Sequence, residues 1–370
     1  MNTTSAGSHP DSRLERLQRL LEQDPDNALL LADAAELALS GGLLELAERY
    51  TQRALDVDTS SPTARFRMAS IRLAQRRLND ARNILDALWN EGRQHPAILH
   101  NRAYARFLAP DMAACEAVLR DAMTSPGPAQ SDASLQVLWL RALHNQERLE
   151  DAWAWASPLV ASGKLQGTAC AVASLIAVDL GLFSQAKELS EAAIQANPSL
   201  PEALVARASV ALSEQAPGLA RELAERAFRI NSADGRACMT LGFVDLLEGK
   251  GEAAMHRFEA AVAALPGHAM AWQGLGWACV VAGALQKAKQ AFLKAREIDP
   301  TDADGAGGVA LVLALQKDAA GARPYLQEAQ QLDPENAAAH YAQAVLSGDV
   351  DALKNAEQVV RSWFGVQGPG

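Results

Sequence analysis

Apolar and small residues recur along this chain with a helical spacing, and that pattern itself recurs every 34 residues. The stretch AWQGLGWACVVAGALQKAKQAFLKAREIDP, residues 271–300, has the pattern of two short helices with a turn at Gly283 and a stop at Pro300. Apolar residues at helical spacing place one stripe of each helix in a core, and proline ends a helix because its ring and missing N–H prevent continuation. The pattern predicts antiparallel helix pairs, one pair per period.

The period is clearest when residues 235–268 are set above residues 269–302. Identical residues then coincide: Leu241 with Leu275, Gly242 with Gly276, Ala254 with Ala288, Phe258 with Phe292, Ala261 with Ala295 and Pro266 with Pro300. Nine repeats begin in this register, at Ala28, Pro62, Pro96, Ala133, Gly167, Pro201, Gly235, Ala269 and Ala303. A single helix pair cannot bury its apolar stripe alone, so we expect the repeats to stack on one another.

This pattern resembles the tetratricopeptide repeat, which carries an aromatic residue at position four, Leu-Gly at seven and eight, small residues at twenty and twenty-seven, and proline at thirty-two. The eighth repeat supplies these features with Trp272, Leu275, Gly276, Ala288, Phe292, Ala295 and Pro300. The resemblance implies an all-α fold, a right-handed superhelical solenoid of antiparallel helix pairs.

The register divides the chain into five segments. We expect a disordered tail over 1–11, a capping helix over 12–27, repeats one to three over 28–132, repeats four to nine over 133–336, and capping helices with a tail over 337–370. The ninth repeat places Gly305, Gly307 and Gly308 in one helix. Because each glycine costs about 1 kcal/mol relative to alanine inside a helix, that helix is either soft or closely approached by a neighbour.

Charge and composition narrow the function classes. The 34 basic and 44 acidic side chains give a net charge of −10, which argues against the basic face that binds nucleic acid or an anionic membrane. No apolar stretch reaches the roughly 18 residues of a membrane span, and the first residues lack a signal-peptide pattern. We therefore predict no nucleic-acid partner, no membrane insertion and a cytoplasmic location. Arginine supplies every Lys/Arg position before Lys164, which favours a GC-rich, bacterial source.

Motifs for catalysis or metal binding are absent from the sequence. There is no nucleophile elbow, phosphate-binding loop, zinc-protease motif or dinucleotide fingerprint. The four cysteines lack CxxC spacing, at Cys115, Cys170, Cys238 and Cys279. His100 and His144 could meet on neighbouring repeats, but no third ligand accompanies them. We predict no catalytic residue, no metal and no cofactor, and hence no enzyme.

The resemblance also implies where a partner binds. In the tetratricopeptide family, positions two, five, nine, twelve and thirteen of each first helix line a concave groove that holds a peptide. The implied groove residues are Phe66, Leu73, His100, Tyr104, Phe107, Met239, Phe243, Leu246, Met270, Trp277 and Tyr341. Methionine and aromatic rings suit an apolar or amphipathic segment. Three alternatives stay open: tight coiling makes Phe243 and Trp277 core residues, the chain's own capping helices fill the groove, or a second copy of the chain fills it in a homodimer.

Arginines crowd the second repeat and extend into the third. The basic patch consists of Arg65, Arg72, Arg76, Arg77 and Arg106. Guanidinium groups bind carboxylates in bidentate pairs, so an acidic segment of a partner could dock here. The alternative is a solvated face whose arginines pair with acids of neighbouring repeats.

Together these features predict a non-catalytic scaffold, adaptor or chaperone that binds an apolar or amphipathic segment of a partner protein in its groove. The family resemblance suggests bacterial secretion, pilus or envelope assembly as the setting. The alternatives are a partner subunit that regulates or targets an enzyme such as a glycosyltransferase, and a peptide-sensing regulator.

Overall fold

The computed structural model describes residues 10–165 and 167–348. Within these ranges the chain forms α-helices and one short 3₁₀ helix, with no β-strand. The helices form two compact units that divide between Leu165 and Gln166. The all-α fold of paired helices that the sequence predicts is confirmed. The segments 1–9 and 349–370, which include most of both predicted tails and the last predicted capping helix, lie outside the described residues.

The N-terminal unit holds nine α-helices in the described range. They are α1 (Pro10–Gln23), α2 (Ala28–Ser40), α3 (Leu44–Val57), α4 (Pro62–Ala74), α5 (Leu78–Asn90), α6 (Pro96–Phe107), α7 (Met112–Thr124), α8 (Ala133–His144) and α9 (Leu149–Ala161), with the 3₁₀ helix at Pro128–Ser131. From α2 onward each even-numbered helix opens a repeat and packs against the odd-numbered helix that follows it.

The C-terminal unit continues the alternation. Its helices are α10 (Thr168–Asp179), α11 (Phe183–Ala196), α12 (Pro201–Ser213), α13 (Pro217–Ile230), α14 (Gly235–Leu247), α15 (Gly251–Ala264), α16 (Ala269–Val281), α17 (Leu285–Ile298), α18 (Ala303–Leu315), α19 (Ala319–Leu332) and α20 (Ala337–Ser347). The first helices also pack directly on one another, α10 on α12 and α18 on α20. As a result α14, α16 and α18 are buried along almost their whole length.

Local signals at the helix ends explain why the elements begin and end where they do. The side chain of Asn27 accepts hydrogen bonds from the backbone N–H groups of Leu29 and Leu30 at 3.2 and 3.1 Å, which caps α2. Proline occupies the first position of α4, where its missing N–H costs nothing. The turn inside the eighth repeat uses Gly283 at φ +74°, a left-handed conformation that glycine adopts without strain.

Two phenylalanine rings hold the seventh, eighth and ninth repeats together. Phe258 of α15 and Phe292 of α17 are both fully buried, with 0% of their surface exposed. A Cβ on Gly242 would lie 2.7 Å from Cε2 of Phe258, and a Cβ on Gly274, in the next repeat, would collide with the same ring. Each phenylalanine therefore sits in a slot between a glycine of its own repeat and a glycine of the following repeat; Gly276 and Gly308 form the second slot.

The three glycines of α18 are approached from different sides. A Cβ on Gly305 would lie 2.9 Å from the backbone nitrogen of Arg296, one on Gly307 would collide with Oδ1 of Asn336, and one on Gly308 would lie 2.5 Å from Cε1 of Phe292. Of the two expectations for this helix, close approach by neighbours is the one that the structure bears out.

Candidate functional site

The residues that the family resemblance places in a groove differ widely in exposure. Six are buried, at 1–7% exposure: Leu73, Met239, Phe243, Leu246, Trp277 and Tyr341. Met270 is 49% exposed. The remaining four are half-buried: Phe66, His100, Tyr104 and Phe107. The prediction that all eleven side chains line an open surface is therefore wrong for the buried six.

Phe243 and Trp277 are core side chains. The ring of Trp277 packs edge-on against Phe292, with the ring centroids 5.7 Å apart and the planes at 84°. The ring of Phe243 packs in the same way against Phe258, at 4.9 Å and 78°. Each ring is thus covered by the slotted phenylalanine of its own repeat, an arrangement that contributes about 0.5–1.5 kcal/mol beyond buried area. The alternative in which these two residues belong to the core is the correct one.

Met239, Leu246 and Tyr341 belong to the same apolar cluster as these rings. Burial raises the pKa of the Tyr341 hydroxyl, as expected for a phenol removed from water. Leu73 belongs to a separate core cluster of the N-terminal unit, with Leu85 and Leu88 of α5. The sequence could place these residues on first helices, but it did not show which side chains of other helices bury them.

The half-buried aromatic residues lie on two neighbouring first helices of the N-terminal unit. We call Phe66 of α4 and His100, Tyr104 and Phe107 of α6 the aromatic strip. Phe66 and Tyr104 pack on one edge against the core cluster of α4 and α5 and keep part of their rings exposed. The rings of His100 and Tyr104 stack, with centroids 5.8 Å apart and planes at 21°.

Three hydrogen bonds link His100 and Phe66 of the aromatic strip through Asn101 and Ser70. Nδ1 of His100 lies 3.1 Å from Oδ1 of Asn101, Nδ2 of Asn101 donates to Oγ of Ser70 at 3.2 Å, and Oγ of Ser70 donates to the carbonyl of Phe66 at 3.1 Å. These bonds join α4 to α6 and fix the orientation of the imidazole. Sequence reasoning did not single out Ser70 and Asn101, because neither residue type at these spacings marks a site by itself.

The arginines of the predicted basic patch are mostly paired with acids. Arg65 forms a two-pronged pair with Glu91 at 2.7 and 2.8 Å. Arg72 reaches Glu48 at 2.7 Å and Arg77 reaches Asp80 at 2.6 Å. Arg106 reaches Asp86 at 2.9 Å, and Arg76 lies exposed in a turn at φ +59°. Pairing with acids therefore holds for four of these five residues. The partners of Arg72 and Arg106 lie on a neighbouring repeat, as the alternative expected, whereas Arg65 and Arg77 form these pairs within their own repeat.

Asp86 of α5 pairs with two arginines of α6 at once. Nε of Arg102 lies 2.8 Å from Oδ1, and Nη2 of Arg106 lies 2.9 Å from Oδ2. The guanidinium of Arg102 also lies over the ring of Trp89, 4.7 Å from its centroid. Burial raises the pKa of Asp86, but the hydrogen bonds and charges of the two arginines outweigh it and hold the pKa below its ordinary value.

Asp86→Asn is expected to lower the thermal midpoint of the N-terminal unit at pH 7. A carboxyl whose pKa is depressed by folding stabilises the fold fully above its unfolded pKa, near 4, and the contribution is lost as pH falls through the depressed value. The difference between variant and parent should therefore shrink below about pH 4. Circular dichroism melts at pH 7 and at pH 2–4 test this. Asp121→Asn, at an exposed position of α7, is the control, and a loss that is equal at every pH would contradict the assignment.

The described residues, 10–165 and 167–348, include no helix long and apolar enough to cross a membrane. In the same ranges no group of three His, Cys, Asp or Glu side chains is placed to hold a metal ion. Burial raises the pKa of the Cys115 thiol to about 12. Because the thiolate is the reactive form of cysteine, this side chain is chemically inert near neutral pH.

Comparison with known proteins gives a family match for part of the chain and a likeness in fold. A family model for the tetratricopeptide repeat matches residues 245–312. Cellulose synthase 1 operon protein C of Komagataeibacter xylinus is 49% identical over 55 residues, which are 15% of this chain and 4% of that protein. This chain thus covers only a small part of the length of the curated relative that it matches.

Among solved structures, a human IFIT1 dimer with m7Gppp-AAAA superposes with a TM-score of 0.52 at 15% identity, over 95% of both chains. A tetratricopeptide repeat protein from Parabacteroides merdae matches with a TM-score of 0.43 at 15% identity, over 68% of this chain and 97% of the other. At these identities the likeness concerns the fold alone.

Proposed function

We propose that this chain, in which residues 245–312 match a family model for the tetratricopeptide repeat, is a non-catalytic scaffold that binds a segment of a partner protein along the aromatic strip of its N-terminal unit. The segment is apolar or amphipathic, and the protein acts as an adaptor or chaperone in the bacterial cytoplasm. Secretion, pilus or envelope assembly is the setting that the family resemblance favours.

The main support for this site is the difference in side-chain exposure at position nine of the repeats. Tyr104 occupies that position in the third repeat and keeps part of its ring exposed. Phe243 and Trp277 occupy it in the seventh and eighth repeats and are only 4% and 1% exposed. An exposed aromatic ring retains apolar surface that a partner can bury, and such rings dominate binding energies at interfaces.

The charges around the strip are consistent with an apolar partner segment. Arg102 and Arg106, on the same helix as three strip residues, share Asp86. This carboxylate compensates one of their two positive charges, and the two side chains are only 13% and 15% exposed, so they offer an acidic partner little open surface. Aromatic side chains, in contrast, favour segments that place hydrophobic residues at helical spacing into a groove.

Association with a polysaccharide-forming enzyme is the second candidate. The support for it is the 49% identity over 55 residues to a protein encoded with cellulose synthase. In that case the chain serves as a partner subunit that targets or regulates a glycosyltransferase, and the enzyme should co-purify with it. A peptide-sensing regulator has no comparable support.

The likeness to IFIT1 does not support RNA binding by this chain. The likeness concerns the fold alone at 15% identity. Here the net charge is −10, and arginines of the second and third repeats already pair with Glu48, Asp86 and Glu91. Binding to a phosphate backbone requires a basic face.

Tyr104→Ala is expected to weaken partner capture by about 30-fold, the loss typical of a hot-spot residue of 2 kcal/mol. Because Tyr104 is only half-buried, the unfolding free energy should fall by about 1 kcal/mol. Affinity purification with mass spectrometry identifies the partner, and calorimetry on the identified segment gives the change in Kd.

The matched control is Phe183→Ala, since Phe183 is an aromatic residue 42% exposed on a second helix, α11. A photo-crosslinking residue at position 107 should label the same partner, and one at position 183 should not. Equal losses for Tyr104→Ala and Phe183→Ala would rule out the strip as the binding site. Crosslinks from position 107 to a second copy of the chain would replace the proposal with a homodimer.

A further inference from the structure

In the hydrogen-bond chain from His100 through Asn101 and Ser70 to the carbonyl of Phe66, the carbonyl determines which group of each pair donates. The carbonyl of Phe66 can only accept, so the hydroxyl of Ser70, 3.1 Å away, donates to it. Oγ of Ser70 is then an acceptor for Nδ2 of Asn101 at 3.2 Å. This orients the amide so that its oxygen faces His100, whose Nδ1 lies 3.1 Å from Oδ1. Nδ1 of His100 must therefore carry the proton.

The reversed arrangement is less favourable because it makes fewer bonds. If Nδ2 of Asn101 donated to Nδ1 of His100, Oδ1 would face Ser70 and take its hydroxyl proton. No proton would then lie between Oγ of Ser70 and the carbonyl oxygen of Phe66, so this hydrogen bond would be lost. Three hydrogen bonds would become two, and a hydrogen bond contributes about 1 kcal/mol net.

A neutral imidazole with its proton on Nδ1 has its lone pair on Nε2. His100 is half-buried, and within residues 10–165 and 167–348 its one side-chain hydrogen bond is the one from Nδ1 to Asn101. The carboxylate of Asp132 interacts with the imidazole through its charge, but it accepts hydrogen bonds from the backbone N–H groups of Ser134 and Leu135. The aromatic strip thus combines partly exposed rings with one hydrogen-bond acceptor, Nε2 of His100. The hydrogen bond that Nδ1 donates to Asn101 sets this tautomer.

We propose that Nε2 of His100 is a built-in acceptor of the partner-binding strip and that the partner segment presents to it an aromatic side chain with a ring N–H or O–H. This inference rests on the proposed function for the identity of the strip. An aromatic donor fits because His100 stacks on Tyr104 and lies on the same helix as Phe107. Tryptophan and tyrosine offer an apolar ring to such surroundings together with one polar tip.

The tautomer can be tested without any partner. Long-range ¹H–¹⁵N spectra of the full chain, labelled at histidine and recorded at pH 8, distinguish a protonated from an unprotonated ring nitrogen, and His100→Gln identifies the resonances. We expect a protonated Nδ1 and an unprotonated Nε2. Ser70→Ala should mix the two tautomers because the amide of Asn101 becomes free to turn, whereas Ser70→Thr should preserve the parent state. A proton on Nε2 in the parent chain would overturn the proposal.

The donor requirement can be tested with indole and 1-methylindole, which have similar rings but differ in the N–H. Indole should shift the Nε2 resonance of His100 and bind at least fivefold more tightly than 1-methylindole. His100→Gln should remove that preference. Equal binding of the two probes, or binding of neither at millimolar concentration, would refute an aromatic donor. Because these experiments use no partner, they can succeed while crosslinking from position 107 fails, which would refute only the proposed function.

Discussion

Gly274→Ala is expected to destabilise the C-terminal unit by about 2–3 kcal/mol, the upper range for overpacking a well-filled core. Inside a helix the same change normally stabilises by up to about 1 kcal/mol. Here the new methyl group would collide with Cε1 and Cζ of Phe258 and lie 2.7 Å from Cδ1. The ring cannot move away, because Gly242 lies against its opposite edge and none of its surface reaches solvent. The midpoint of urea unfolding, followed by circular dichroism, measures the loss.

Gly218→Ala provides the matched control. Gly218 lies in α13 and has no atom within 4 Å of where its Cβ would be, so this change should be neutral or stabilising. Adding Phe258→Leu to Gly274→Ala should recover part of the loss, since a smaller side chain leaves room for the methyl group. If Gly274→Ala proves as harmless as Gly218→Ala, the slot does not constrain the ring.

Trp277→Ala is expected to cost about 3–5 kcal/mol, the range for removing a large aromatic side chain from a core. The side chain is 1% exposed and packs edge-on against Phe292, so its removal leaves a cavity beside the slotted ring. Denaturant unfolding followed by circular dichroism is the appropriate measurement, because the substitution itself changes tryptophan fluorescence.

Met270→Ala is the comparison within the same helix, since Met270 is 49% exposed. Surface substitutions usually change stability by less than about 0.5 kcal/mol. A Trp277→Ala variant as stable as Met270→Ala would mean that the indole is uncovered, and the groove inferred for the eighth repeat would then regain its basis.

The repeat register and the helix limits were predictable because their signals are local. First helices begin at the predicted repeat starts Pro62, Pro96, Gly235, Ala269 and Ala303. Proline and glycine determine such positions through the backbone of one or two residues. Sequence spacing alone therefore establishes the order and pairing of the helices.

The exposure of ring residues was not predictable in the same way. Trp277 and Tyr104 share one repeat position, but only the repeat with Trp277 carries phenylalanine at the matching place of its second helix, Phe292. Family positions describe which side of a helix faces a groove, and they do not reveal what a neighbouring helix supplies. The arginine patch shows the same limit, since Arg65 of α4 and its partner Glu91, in the turn after α5, lie 26 residues apart.

The glycine slots have a consequence for anyone who recombines modules of this array. Phe258 belongs to one repeat, and half of its seat, Gly274, belongs to the next. A chimera joined at a repeat boundary would pack the phenylalanine ring of one parent against the other parent's residue at the position of Gly274. Exchanges that carry each phenylalanine together with both of its glycines, for example residues 242–274, should keep the packing intact. The exchangeable unit therefore fits within one 34-residue period, but it begins inside a first helix and not at the repeat boundary.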